Sequence, residues 1–445
     1  ATVNLDTSTV AINSLTSDGA LQIAGGTLSL AAASVINNAF TLNGILTGTG
    51  SITITGMTTI NSGKFSGSGR TVAKGGLWIK NTLTLDGRTL DNGGVATWSG
   101  GNLLLSNSAV FNNLAGATFN AASSGSFVVT GAGVKGQFNN AGSFVVGGNA
   151  SISMLTSFIN TGSAVLSGGR LNPTGGGSSS GVMDIRSGAT LELGSETYSF
   201  PAGSSVSGGG LFLVSTGTVT VSGSYNITGT TSASSAVLIF PTSATVRNWG
   251  SKLDLSGNAT LNLSTGQPVT LTTVSLTNGP TLSSTSPITV TNGMTVSSGK
   301  LLGSGRTVVK GGLWIKNTLT LDGRTLDNGG VATWSGGNLL LSNSAIFNNL
   351  AGATFNVSLV GTATVTGAGV KGQFNNAGTF MLSGNGSSIS MLTSFINTGS
   401  AVLSSGYLNL AGGGSSSGAI DLRPGTTLEL SSEAYGFPVG SSVSG

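Results

Sequence analysis

The densest charges in the chain fall on Lys80, Asp86, Arg88 and Asp91, and the same four types recur as Lys316, Asp322, Arg324 and Asp327. Asp86 and Asp91 could supply carboxylate oxygens to a hard cation, with Arg88 beside them. The same holds for Asp322, Asp327 and Arg324. The plain alternative is that these are turn residues pairing across neighbouring segments, and two carboxylates are few for a metal site. Glu192 with Glu196, and Glu429 with Glu433, are as sparse and read as surface groups. The chain has no histidine and no cysteine. A Ser-His-Asp arrangement, imidazole metal sites, thiolate chemistry and disulfides are all excluded.

Two other patterns invite a functional reading. Gly131-Ala132-Gly133-Val134-Lys135-Gly136 fits the spacing of a dinucleotide-binding turn and follows a strand signal. That turn needs a helix next, so that its N-terminus faces the pyrophosphate. Gln137-Phe138-Asn139-Asn140 instead reads as another turn and strand. A glycine turn is the better reading, and no cofactor is expected. Trp78, Trp98, Trp314 and Trp334 could stack on sugars if exposed, although tryptophan in such a chain more often fills a core corner. Thr-x-Thr pairs such as Thr82-Leu83-Thr84 are too irregular for an ice-binding face.

The elements that must position these residues are given by an internal duplication. Residues 64–120 recur as 300–356, with only Phe65/Leu301, Ser66/Leu302, Ala73/Val309 and Val110/Ile346 changed. More loosely, 131–140 returns at 367–376, 154–167 at 391–404 and 200–208 at 437–445. Such repetition suits stacked architectures. Short strand signals run throughout, among them Val3–Leu5, Leu21–Ile23, Leu83–Leu85, Phe127–Val129, Val219–Val221, Ile288–Val290 and Leu428–Leu430. They alternate apolar with polar residues. No helical period with caps appears.

A coarser rhythm overlies the strands. Phe111–Phe119, Phe138–Phe144 and Phe158–Val165 each run from an apolar residue through Asn to a turn Gly and a new strand. Gly116, Gly142 and Gly162 are spaced 26 and 20 apart. Asn113, Asn140 and Asn160, with these glycines, are read as structural turn residues that tolerate left-handed backbone angles. Stacking such coils would set Asn above Asn and Phe above its like.

Composition agrees. Glycine is 74 of 445 residues, charged residues are 7% and apolar residues 38%. The chain can therefore bury a core, but its surface must be Ser, Thr, Asn and Gly. A net charge of +4 without clusters argues against nucleic acid as a partner. No apolar run is long enough for a membrane helix, and Ala1–Val10 carries no signal-peptide pattern.

The Phe-x-Asn-x-Gly-x-apolar turns resemble the repeats of filamentous-haemagglutinin-type adhesins. Gly25-Gly26-Thr27-Leu28-Ser29-Leu30 resembles the strand repeat of autotransporter passengers. The resemblance implies a right-handed parallel β-helix, export, and a bacterial extracellular or cell-surface location. Pectate-lyase-like enzymes share that fold and use acidic calcium ligands with a basic residue as proton acceptor. They are the alternative for Asp86, Arg88 and Asp91.

The expectation is thus an all-β, right-handed parallel β-solenoid with almost no helix. It would be an elongated rod of roughly 18–22 coils, stacked about 4.8 Å apart. Residues 1–63 and 209–299 would be diverged coils, and 64–208 and 300–445 the two repeat blocks, of one continuous solenoid. The expected function is a structural extracellular fibre or adhesin stalk. A polysaccharide-acting enzyme or a carbohydrate-binding solenoid is the alternative. The expected partner is the chain itself, stacked head to tail, or more chain of the same kind, since strand-like Ala1–Leu5 and Ser441–Gly445 carry no cap. Surface polysaccharide is a second candidate partner. The Gly175–Gly181 and Gly412–Gly418 stretches are expected to project as flexible loops, with tight glycine corners as the alternative.

Overall fold

Apolar and polar residues alternate along short segments closed by glycine, and each segment buries one set of side chains. Leu83 and Leu85 are fully buried while Thr84 and Asp86 between and after them reach the surface. The computed structural model describes residues 2–121, 124–384 and 386–445. Among these there is no helix. Over most of the chain each strand pairs in parallel with the strand three places on: Leu83 with Leu103, Leu90 with Phe111, Ala96 with Phe119. Three strands therefore make one coil and three faces. The chain is a parallel β-solenoid of about 22 turns in total.

The coils form two compact units, Ala1–Gly229 with Ala244–Asn248, and Thr230–Ser243 with Trp249–Gly445. In the first, one face contains Gly63–Ser66, Leu83–Asp86 and Leu103–Ser106. The second contains Arg70–Ala73, Thr89–Asn92 and Val110–Asn113. The third contains Leu77–Ile79, Val95–Trp98 and Thr118–Ala121. In the second unit the matching strands repeat this order from Gly299–Leu302 onward. Ahead of them, the strands Val269–Thr277 and Ile288–Ser297 pair in parallel across a register shift between Leu271 and Thr273.

Like stacks on like inside each unit. Phe111 lies on Phe138 at 4.9 Å and 8° between ring planes, and Phe347 on Phe374 at 4.9 Å and 7°. Each such fully buried ring contributes roughly 1.5–3 kcal/mol before entropy.

A polar spine runs beside the rings. Asn92 donates through Nδ2 to Asn113 Oδ1 (2.8 Å), Asn113 to Asn140 (2.7 Å), Asn140 to Asn160 (2.7 Å) and Asn160 to Ser179 Oγ (2.9 Å). The four asparagines are at most 1% exposed. Each amide also donates to a backbone carbonyl near the start of a third-face strand, such as Thr118 or Ser143. The second unit repeats the spine as Asn328, Asn349, Asn376, Asn397 and Ser416. Asn113, Asn140 and Asn160 are thus ladder members inside the coil, with no positive φ. Gly116 does adopt a left-handed angle, φ +81°, in an open turn. Gly142 and Gly162 serve closeness instead: a Cβ on either would lie 2.2 Å from a carbonyl oxygen of the preceding coil.

The glycine-serine stretches are not projecting loops, contrary to expectation. Gly177–Ser179 is a strand paired with Phe158 on one side and Tyr198 on the other. Gly414–Ser416 sits likewise between Phe395 and Tyr435. The physical reason is steric. Gly177 has φ +136°, and a Cβ there would stand 2.0 Å from the Phe158 carbonyl oxygen. Only glycine lets the corner stack, and Ser179 then closes the asparagine spine.

Candidate functional site

The charged residues singled out by spacing separate once the coil forms. Asp86 ends a first-face strand, Arg88 occupies the corner, and Asp91 lies on the second face. Each is held by a different neighbour from another coil.

Arg88 turns inward and is fully buried. Its Nε donates to Thr71 Oγ1 at 2.9 Å, Nη1 to the carbonyls of Gly48 (3.1 Å) and Ser66 (3.0 Å), and Nη2 to that of Gly50 (3.0 Å). Burial pulls its pKa down to about 10, so it stays a cation at neutral pH. Arg324 repeats the arrangement with Thr307, Ser284, Leu302 and Ser286, also at a pKa of about 10. A guanidinium spending its donors on a hydroxyl and a carbonyl one coil away and on two carbonyls two coils away is a strut, and none of it faces solvent.

Asp91 is fully buried and accepts from Arg70 Nε. Its other oxygen accepts from Asn112 (2.7 Å), whose Oδ1 accepts from Asn139 (2.9 Å). Asp327 is held identically by Arg306 and Asn348. Among the described residues no three Asp or Glu side chains gather where a metal ion could sit.

Asp86 leads somewhere else. It accepts from Lys64 Nζ at 2.6 Å and from Asn107 Nδ2 at 2.6 Å. These two hydrogen bonds hold its carboxyl below the usual aspartate range. Asn107 and Ser108 both have positive φ, 53° and 63°. Their backbone amides donate to Ala132 O (3.0 Å) and Val134 O (2.8 Å) of the glycine-rich stretch. Gly133, at φ +70°, packs where a Cβ would lie 2.1 Å from Asn107 Oδ1. The stretch 131–136 is therefore an inserted corner tied down by Asp86 and Asn107, which is why Asn113 and Asn140 are 27 residues apart when Asn140 and Asn160 are 20 apart. In the second unit Asp322 holds Asn343 at 2.7 Å, and Asn343 and Ser344 hold Ala368 and Val370.

This corner presents Lys135. Its Nζ donates to Gly175 O at 2.7 Å and to both oxygens of Glu196 at 2.8 Å. Lys135, Glu196, Leu105, Leu155 and Thr156 border a cleft of about 310 Å³. Lys371 reaches Gly412 O and Glu433 at 2.6 Å each. Sequence alone gives the glycine spacing and Glu196 as separate features. What it missed is Asn107, whose left-handed turn joins them. Its signal was the Asn-Ser pair at a strand end.

The remaining candidates are dispersed. Glu192 pairs with Arg170, and Glu429 accepts from Tyr407 OH. Trp98 and Trp334 are buried, whereas Trp78 and Trp314 are 44% exposed. Trp78 carries Lys80 Nζ 3.9 Å from its ring centroid. No protein family matches this chain, and no curated protein is significantly similar to it.

Proposed function

We propose that the protein is a structural stalk of filamentous-haemagglutinin or autotransporter-passenger type, displayed outside a bacterial cell, with adhesion as its task. One observation carries this reading: the side chains best suited to catalysis are consumed by the coil lattice. Arg88 and Arg324 cap carbonyls, Asp91 and Asp327 are buried against arginines, and Asp86 and Asp322 anchor a corner. Only 7% of the whole chain is charged, and many exposed positions are Ser, Thr, Asn or Gly. That supports a scaffold. Lengthening the stack, by further coils or by a second copy seated on parallel strand edges, would use the same ladders and would give a filament.

The alternative, an enzyme acting on polysaccharide, would need Asp86 with Asp91 to act on substrate. Two measurements test the reading. Antibody labelling of intact producing cells should detect the chain at the surface; a chain found only inside lysed cells would overturn it. Purified protein should not cleave acidic or neutral polysaccharides. Turnover abolished by Asp86→Ala with Asp322→Ala would replace the stalk with the enzyme.

A further inference from the structure

The Lys135 cleft has the make-up of a ligand site, and its key residues recur at the matching corner of the second unit. Thr156 borders it, is 2% exposed, and its hydroxyl has no hydrogen-bond partner. Thr393, the equivalent in the second unit, is also 2% exposed and also unpartnered. Leaving a buried hydroxyl unpaired costs stability, and the same cost appears at the same place in both units. Beside it stand apolar side chains that contribute little to the core. Leu155 is 49% exposed and Val134 67%; Leu392 is 46% and Val370 67%. The corner itself is rigid, because Asn107 and Gly133 fix its backbone as described.

The charge balance limits what can bind. Lys135 is already matched by Glu196, and Lys371 by Glu433, so neither corner offers unmatched charge to an ionic ligand. What it offers is an ammonium donor, carboxylate and glycine carbonyl acceptors, the exposed apolar face of Leu155 and, beneath the surface, the unpaired Thr156 hydroxyl. A pyranose ring has the complementary surface: hydroxyls that donate and accept along its edge, and a C–H face. A volume of about 310 Å³ is at the low end for small-molecule sites and suits one sugar unit. We propose that each of the two corners binds one unit of a neutral saccharide, giving two sites per chain. The proposal gives the stalk a ligand class and rests on the stalk reading only for where that ligand is met.

The test is calorimetric titration of the purified full chain with neutral oligosaccharides of glucose, mannose, galactose and N-acetylglucosamine. At least one should bind at two sites per chain, with little dependence on salt. Lys135→Met should leave one site. Lys135→Met with Lys371→Met should weaken binding by about tenfold or more, the scale of one lost charged hydrogen bond. Because those lysines also make structural contacts, Thr156→Val with Thr393→Val is the second variant. It removes only the two hydroxyls, and should weaken binding by roughly tenfold while leaving thermal stability equal or higher. A purely structural threonine would not separate these two readouts. The proposal is overturned if no neutral saccharide binds, if affinity survives both double variants, or if only anionic saccharides bind in a salt-sensitive way. Failure here leaves surface labelling as the independent test of the stalk.

Discussion

Replacing Arg88 by methionine should destabilise the surrounding coils by about 3 kcal/mol, the balance of two opposing effects. The variant removes a charge whose burial is unfavourable: burial pulls the pKa well below the ordinary arginine value, to about 10, equivalent to about 3 kcal/mol of relief at roughly 1.4 kcal/mol for each pKa unit. Against this, the four donated bonds to Thr71, Gly48, Ser66 and Gly50 disappear. At about 1.5 kcal/mol for a bond to a charged donor, the low end of the range, their loss costs about 6 kcal/mol. The assay is native-state hydrogen exchange on the amides of residues 48–73, which reads local opening without assuming that the chain unfolds in one step. Arg88→Lys should recover only part of the loss, since an ammonium lacks the planar fork. Unchanged exchange in Arg88→Met would refute the strut, because it would mean that those carbonyls need no partner. The sign of the pH effect also follows. With the folded pKa below the unfolded one, Arg88 adds no pH dependence below about pH 10. Stability should rise with pH only between the two pKa values.

Asn140→Leu interrupts the spine, leaving Asn160 Oδ1 and the carbonyls of Gly142 and Ser163 without their donor. It should cost roughly 2–4 kcal/mol, seen as faster exchange in strands 110–113 and 157–160. Gly133→Ala drives a methyl to 2.1 Å from Asn107 Oδ1 at φ +70° and should loosen the corner by about 2 kcal/mol. Gly116→Ala, in open space at φ +81°, should cost only about 1 kcal/mol; melting curves compare the two. Asp86 is held below its ordinary pKa of 3.8 by Lys64 and Asn107, so its contribution is complete above that value and is lost as pH falls through the lower folded value. The Asn107 side-chain amide resonance should report that acid transition, and Asp86→Asn should abolish it.

Much of the fold was legible because the signals were local. Alternation in Leu83–Leu85 and the Phe-Asn-Asn-x-x-Gly phrase at 111–116 announce strand and corner without any long-range knowledge. Even the stacking of Asn on Asn follows from the repeat. The partner of each charge was not legible. Asp86, Arg88 and Asp91 lie within five positions of one another in sequence yet meet Lys64, Gly50 and Arg70 of earlier coils. A parallel stack pairs residue i with one about 20 positions away, so spacing within a turn says nothing about convergence. The glycine-serine stretch misled for the opposite reason. Composition that ordinarily marks a linker here marks backbone so tightly stacked that a side chain would collide.

Electron cryomicroscopy of the native material tests the central claim most directly. Stacked coils predict repeating density about 4.8 Å apart along the stacking direction within each unit, in which Phe111, Phe138 and Phe158 form one column. Strands paired antiparallel in hairpins would contradict it.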